Sequence, residues 1–397
     1  VSSSGSPALA GSRREGSSPA FAKLGRARLA PLALAVGVAL WVAHAPFVAW
    51  AVFATAVFVG ATVYSSGLAQ NVFLSLASVC VVVVIIEFVA LACERVVVRH
   101  EDEGFNVARL AVGWGPRAPG RYEAFTAING RAAFDVHYTV DDRLFRATRS
   151  GTEGPATAFF GDSFMFGVGL DDDQTLPQLF ADREGRRHPV FNLAMGGYNP
   201  AQVLATMETG FADDLIARSE LLVQFVAPWH AERTACRPSW QHNAPRYAVI
   251  DGAVTYDGIC PHHIIDVLEN SSFYRTFVEP RLPRTNNAEL ELFTRVVEQT
   301  IRLSREKYHK PMIVYYLSEP AFLKGTAWTD EAIIDRFVKA GAKVLSYNMG
   351  DGADPKYKLG DGHPSFLSNQ VRAARLADFI KTAFPDSETA KALAPTP

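Results

Sequence analysis

The chain has 397 residues, 48% hydrophobic and 20% charged, with 39 Lys plus Arg against 41 Asp plus Glu and a formal net charge of −2. This composition excludes a disordered chain, and so even a charge balance offers no global cationic field for a phosphate backbone, so nucleic acid is excluded as an expected partner. The hydrophobicity is also uneven: no charged side chain occurs from Leu29 to Ile86, which excludes a single soluble domain and points to a membrane protein.

Residues 1–28 are rich in Ser, Gly and Ala and carry Arg13, Arg14, Lys23, Arg26 and Arg28, which reads as a disordered basic tail. Residues 29–93 form the expected transmembrane region, about three helices over Leu29 to Ala43, Phe47 to Tyr64 and Val72 to Cys93. The breaks are AHAP and SSGLAQN, with Trp41 and Trp50 flanking the first, as interface-anchoring rings do. Basic residues before the first run and none in the short loops place the N-terminus in the cytoplasm and, after three crossings, the C-terminal domain outside. The expected location is therefore the inner or plasma membrane with an extracytoplasmic domain. Ala43-His44-Ala45 resembles a signal-peptidase site, but Pro46 beyond it argues against cleavage. Glu87, an ionisable group within an apolar helix, is expected to face the bundle interior and pair with His44.

Residues 94–150 read as a juxtamembrane segment and leading strands, with extra strands in Tyr122 to Ala147. From 151 to 384, runs rich in β-formers alternate with helical patterns, the signature of an α/β domain with a mainly parallel sheet. The expected strands are Ala156 to Phe160, Val190 to Ala194, Leu221 to Val226, Met312 to Leu317 and Val344 to Tyr347. Helices are expected near Thr175 to Asp182, Pro200 to Phe211, Ala288 to Tyr308, Asp330 to Ala340 and Phe366 to Phe384. Residues 231–284 read as an insertion with a hairpin at Tyr247 to Tyr256, and 385–397 as a flexible tail. Cys80 and Cys93 fall in the last apolar run and pack there as small apolar groups. Cys236 and Cys260 lie in the polar insertion, where an oxidising compartment lets them close a disulfide; two buried thiols are the alternative. Neighbouring His262 and His263 point apart, with no second ligand pair at suitable spacing, so no metal and no cofactor is expected.

In an open parallel sheet, ligands bind beyond the carboxyl ends of the strands. Three polar elements stand there. GDSF, Gly161 to Phe164, puts a hydroxyl at a strand-to-helix turn where backbone N–H groups can receive an oxyanion, although Gly-Asp-Ser is also a common turn and cap sequence. Asn192 is followed by Gly196, Gly197, Tyr198 and Asn199, and glycine lets a backbone N–H approach a reacting carbonyl. DGHPS, Asp361 to Ser365, supplies His363 as a general base and Asp361 to orient it.

In this order, and with each element at a strand end, the combination resembles the SGNH or GDSL hydrolase superfamily over about Ala156 to Phe384. The resemblance implies a three-layer, flavodoxin-like parallel-sheet domain after the transmembrane helices. It makes Ser163 the nucleophile, Gly197 an oxyanion donor beside the Ser163 N–H, and Asp361 with His363 the remainder of a triad. The D-x-H spacing and the run GDSFMFGVGLDDDQTLPQLF resemble a membrane-anchored bacterial branch that acetylates or deacetylates exopolysaccharides. One departure stands out. Where the family carries Gly-x-Asn-Asp after the third strand, this chain reads APWHAER, Ala227 to Arg233, with no Asn. His230 is then a candidate substitute donor or substrate contact, or a packed and hydrogen-bonded neighbour of Trp229, and Arg233 a candidate for an anionic group. The acidic run Asp171 to Asp173 reads as a helix-start cap. Trp114 and Trp328 serve equally well as core residues or sugar platforms.

The expected function is a serine acyl esterase or O-acyltransferase acting on acetyl esters of a cell-surface or secreted glycan, with the bilayer and the glycan as partners. As a transferase it requires a separate membrane acyl-donor protein. The alternatives are a catalytically weak glycan-binding or scaffolding module, motivated by the absent Asn, and a lipid or thioester hydrolase.

Overall fold

A computed structural model describes residues 46–109, 111–348 and 354–394. The basic tail, the first expected membrane run and His44 lie outside the described residues. The chain divides into two compact units. One holds the residues up to Glu94 together with Ile265–Arg281, and the other holds Arg95–Ile264 and the residues from Leu282 onward. The expected boundaries shift accordingly: 95–150 belongs with the α/β unit, and part of the expected insertion belongs with the apolar helices.

The first unit contains α1 (Pro46–Tyr64) and α2 (Gly67–Cys93). Both are long and apolar enough to cross a membrane. Only Ser65 and Ser66 separate them, so they pack as a hairpin. Phe53, Val57, Val72, Val79, Val82 and Ile85 remain exposed, as expected of a surface whose solvent is lipid. Glu87 is buried, and its partners are Ser271 and the Ser272 N–H. These donors come from a segment 184 residues distant in sequence, and the expected pairing with His44 falls outside the described residues.

The second unit begins with β1 (Val97–Glu101), β2 (Val107–Arg109), β3 (Gly113–Gly115), β4 (Gly120–Ile128) and β5 (Arg131–Val140). Strands β1, β4 and β5 form an antiparallel sheet of their own. The main sheet is built from β6 (Ala156–Phe160), β7 (Val190–Asn192), β8 (Ser219–Val226), β11 (Met312–Ser318) and β12 (Lys343–Asn348). These five are parallel in the order β12-β11-β8-β6-β7, a doubly wound arrangement whose direction of winding reverses beside β6. Between and after them come α3 (Ser163–Phe166), α4 (Leu176–Arg183), α5 (Pro200–Glu208), α6 (Asp213–Arg218), α7 (His230–Thr234), α8 (Asn287–Glu306), α9 (Asp330–Ala340), α10 (Phe366–Ala383) and α11 (Glu388–Ala392). β9 (Pro245–Ile250) and β10 (Ala253–Ile259) form the hairpin of the insertion. Its tip, Asp251-Gly252, has φ of 51° and 82°, the positive pair that an Asp-Gly turn accepts readily.

The strands are apolar on both faces because helices cover both. Phe159, Leu221, Val223, Phe225, Ile313, Tyr315 and Leu317 face one core with Leu376 and Ile380 of α10. Phe160, Leu222, Val226, Met312, Val314 and Tyr316 alternate to the other, against Phe293 and Val297 of α8 and Phe337 of α9. The expected flexible tail is instead helical through Ala392, because Ser387 caps α11 and the Glu220 carboxylate accepts the Glu388 and Thr389 N–H groups.

Candidate active site

β6 ends in Gly161, where an added Cβ would lie 2.9 Å from Cβ atoms of both Met165 and Phe225, so only glycine permits the close approach of strand, turn and neighbouring strand. Asp162 then caps α3 by accepting the Phe164 N–H at 2.9 Å. Ser163 opens the helix and is largely buried. Its hydroxyl has no hydrogen-bond partner among the described residues, and its N–H is likewise left without an acceptor. The short helix stops at Gly167, φ 86°.

Two buried arginines hold the carbonyls of this turn. Arg146 donates to the Gly167 and Leu170 carbonyls at 3.0 and 2.7 Å, and to Asp172 Oδ1. Arg372 of α10 donates to the Phe164 carbonyl at 3.3 Å and stacks near Phe225 and Tyr315. Neither arginine stands out in the sequence. The acidic run stands at the start of a short helical turn, Asp172–Gln174, as expected, with Asp171 in the N-cap position, but its side chains make no cap bond and Asp171 and Asp172 accept the His137 and Thr139 N–H groups along β5. Strand-edge donors and a buried guanidinium satisfy these carboxylates better than a three-residue helical turn does.

Of the two roles open to His230 after the third strand, the structure shows the packed, hydrogen-bonded neighbour of Trp229 rather than the substitute donor. His230 is buried, with Nε2 3.1 Å from Asp162 Oδ2 and Nδ1 accepting the Ala227 N–H at 3.2 Å. Accepting at Nδ1 fixes the neutral Nε2–H tautomer, so His230 donates to Asp162 and keeps no proton for a substrate oxyanion. Burial depresses the His230 pKa against the raising influence of Asp162. Asp162 Oδ2 also receives Trp229 Nε1 at 3.3 Å and Arg233 Nη1 at 3.2 Å. Burial alone would raise the Asp162 pKa, but these donors and the Arg233 charge outweigh it and hold the carboxyl well below its usual range. Arg233 is only partly occupied: its Nε has no partner and its guanidinium lies 5.3 Å from the Trp240 ring centre.

Gly197 has φ 79°, and a Cβ there would meet Trp114 and Trp240 at 3.1 Å. Its carbonyl accepts Gln241 Nε2, while its N–H makes no bond among the described residues. The loop is tied to the Ser163 turn by Met195 N–H to the Gly161 carbonyl at 3.3 Å. Trp114 donates to the Gly196 carbonyl and packs on the Cys236–Cys260 disulfide, a structural use of the ring. Trp328 lies beside the Arg336 guanidinium.

The DGHPS element explains its own spacing. Gly362, at φ 98°, reverses the chain so that Asp361 accepts the His363 N–H through Oδ1 at 3.1 Å and Nδ1–H through Oδ2 at 2.7 Å. Burial opposes ionisation of Asp361, but the bonds and charge of His363 prevail and its pKa is lowered. The imidazole, with Nε2 unbonded, lies 5.7 Å from the Phe164 ring, centre to centre. The chain segments carrying Ser163 and His363 thus converge, although no Ser163–His363 hydrogen bond forms.

No model of a known family matches this chain, and no curated protein sequence matches it. Solved structures similar to it include TesA, at 15% identity, covering 57% of this chain and 98% of that one with a TM-score of 0.34. The psychrotrophic esterase EstA from Pseudoalteromonas sp. is 12% identical, covering 58% and 99% with a TM-score of 0.34. The salicylyl-acyltransferase SsfX3 from a tetracycline biosynthetic pathway is 12% identical, covering 58% and 56% with a TM-score of 0.31.

Proposed function

We propose that the chain is a membrane-anchored serine acyl esterase or O-acyltransferase of SGNH type, acting outside the cytoplasm on acetyl esters of a cell-surface or secreted glycan. The observation that carries this reading is the Asp361–His363 pair, held by two hydrogen bonds beside the turn that carries Ser163. Ser163 Oγ attacks the ester carbonyl carbon as its proton passes to His363 Nε2, and Asp361 stabilises the imidazolium. The Ser163 and Gly197 N–H groups receive the oxyanion. The ester C–O bond then breaks, and the departing alcohol oxygen takes the proton from His363. Water or a sugar hydroxyl attacks the acyl-serine in the second half, giving hydrolysis or transfer, and transfer requires a separate membrane donor of the acyl group. The basic N-terminal tail, with three crossings of which the first is Leu29 to Ala43, and the disulfide support an extracytoplasmic domain.

A serine-directed fluorophosphonate should label wild type and leave Ser163→Ala unlabelled. Ser163→Ala and His363→Ala should each lower p-nitrophenyl acetate turnover by orders of magnitude to a similar floor, and Asp361→Asn by less. Wild-type turnover by Ser163→Ala would overturn the assignment. A second reading, a catalytically weak glycan-binding module, is favoured by one observation: His230 has both ring nitrogens occupied, so it does not replace the missing Asn. Absence of fluorophosphonate labelling in wild type would favour that reading.

A further inference from the structure

Ile265–Arg281 leaves the α/β unit and joins the unit of the apolar helices. It is held there by α2. Glu87 accepts from the Ser271 hydroxyl and, at 2.8 Å, from the Ser272 N–H. Two helical turns further on, Glu94 accepts from Arg275 Nε at 2.6 Å and from the Ser272 hydroxyl at 2.7 Å. Seven residues apart, the two carboxylates share one helix face.

The length of α2 sets the height of this attachment. Its 27 residues span about 40 Å at 1.5 Å per residue, against a hydrocarbon core of about 30 Å. Counted from Gly67, Glu87 stands roughly 30 Å along the axis, where hydrocarbon gives way to headgroups. The polar groups of Ser271, Ser272 and Arg275 are spent on α2. Val267, Leu268 and Phe273, in contrast, stay exposed at 58%, 38% and 39%. Apolar side chains facing outward from a segment fixed at that height fit the acyl boundary better than water.

We infer that Ile265–Arg281 is an interfacial segment lying in the headgroup layer of the bilayer, keyed to the end of α2 by Glu87 and Glu94, with Val267, Leu268 and Phe273 in the acyl boundary. This rests on the membrane-spanning reading of α1 and α2, and the test separates the two.

The full chain, with Cys80→Ala and Cys93→Ala, is reconstituted in phosphatidylcholine vesicles and labelled with the environment-sensitive dye NBD at one new cysteine: Leu268→Cys, Phe273→Cys, Val82→Cys or Tyr256→Cys. Val82 is exposed on α2 and Tyr256 on the hairpin of the α/β unit. Labels at 268 and 273 should be quenched by lipid-borne nitroxide at least twofold more than the label at 256, and protected from aqueous iodide. Strong lipid quenching at 82 with free iodide access at 268 and 273 would overturn the inference. No lipid quenching at 82 would overturn the spanning reading beneath it. Glu87→Leu should accelerate tryptic cleavage at Arg275 in the same vesicles by tenfold or more; an unchanged rate would overturn the keying.

Discussion

Asp162 takes four donors, and all but the Phe164 N–H converge on one oxygen from the segment Ala227 to Arg233 that follows β8. Trp229, His230 and Arg233 therefore hold in place the acid that caps α3. Substituting His230→Ala removes one donor and leaves the Ala227 N–H without its acceptor, each loss costing about 1–3 kcal/mol when the group is buried. Thermal unfolding should fall accordingly, and the fluorophosphonate labelling rate should drop without being abolished. The pH dependence has a definite sign. Asp162 and His230 both have depressed folded pKa values, so their contribution is present above the unfolded values, about 6.5 for His and 3.9 for Asp, and is lost as pH falls below these through the folded ones. Wild type should lose melting temperature on acidification from pH 7 more steeply than His230→Ala.

At the scale of elements, the four residues of α3 are too few to hold themselves, and Arg146 supplies what a longer helix would. Replacing Arg146→Met leaves the Leu170 carbonyl and part of Asp172 unpaired and the Gly167 carbonyl with only the Leu170 N–H, so unfolding should move down by several kcal/mol, roughly 1–3 for each buried group left unpaired. Titrated activity should fall with it. The edge of β7 carries a different liability. Glu184, just beyond α4, is buried with neither oxygen bonded. Burial first, then the charge of Glu220, pushes its pKa up to about 8 against the pull of Arg187. A raised acid contributes stability below its unfolded value, near 4.3, that is lost as pH rises through the folded one. Glu184→Gln should therefore be close to neutral at pH 4 and stabilising at pH 9, checked by melting temperature across that range. The strands of the main sheet and the helices that cover it were legible in the sequence because runs such as ATAFF and MIVYYL are apolar on both faces and are followed by helical patterns. β4 and β5 fall within the strands expected over Tyr122 to Ala147, whereas the short α11 was not legible, because the remote Glu220 carboxylate accepts its first N–H groups, as Asp171 and Asp172 do along β5.

For the whole molecule, local motifs such as D-G-H and G-D-S were readable because each closes its bonds within a few residues. The role of His230 and the membership of Ile265–Arg281 were not, since both depend on partners 68 and 184 residues away. The same distance argument bears on the insertion. Cys236 sits at φ 60°, and its bond to Cys260 closes a loop across a separation of 24 residues that includes the β9–β10 hairpin. Tying the loop ends restricts the unfolded chain, a stabilisation of about 3 kcal/mol for a loop of this size. The Cys236–Cys260 contact packs on Trp114, which in turn holds the Gly196 carbonyl, so the bridge reaches the Gly197 loop through one ring. If the α/β unit lies outside the cytoplasm, a thiol-reactive polyethylene glycol should add to both cysteines only after denaturation with reductant. Cys236→Ser with Cys260→Ser should lower the melting temperature and loosen the Gly197 loop, read as a larger loss of turnover than of fluorophosphonate-accessible serine. Modification of both cysteines without reductant would remove the bridge and with it this support for an oxidising compartment.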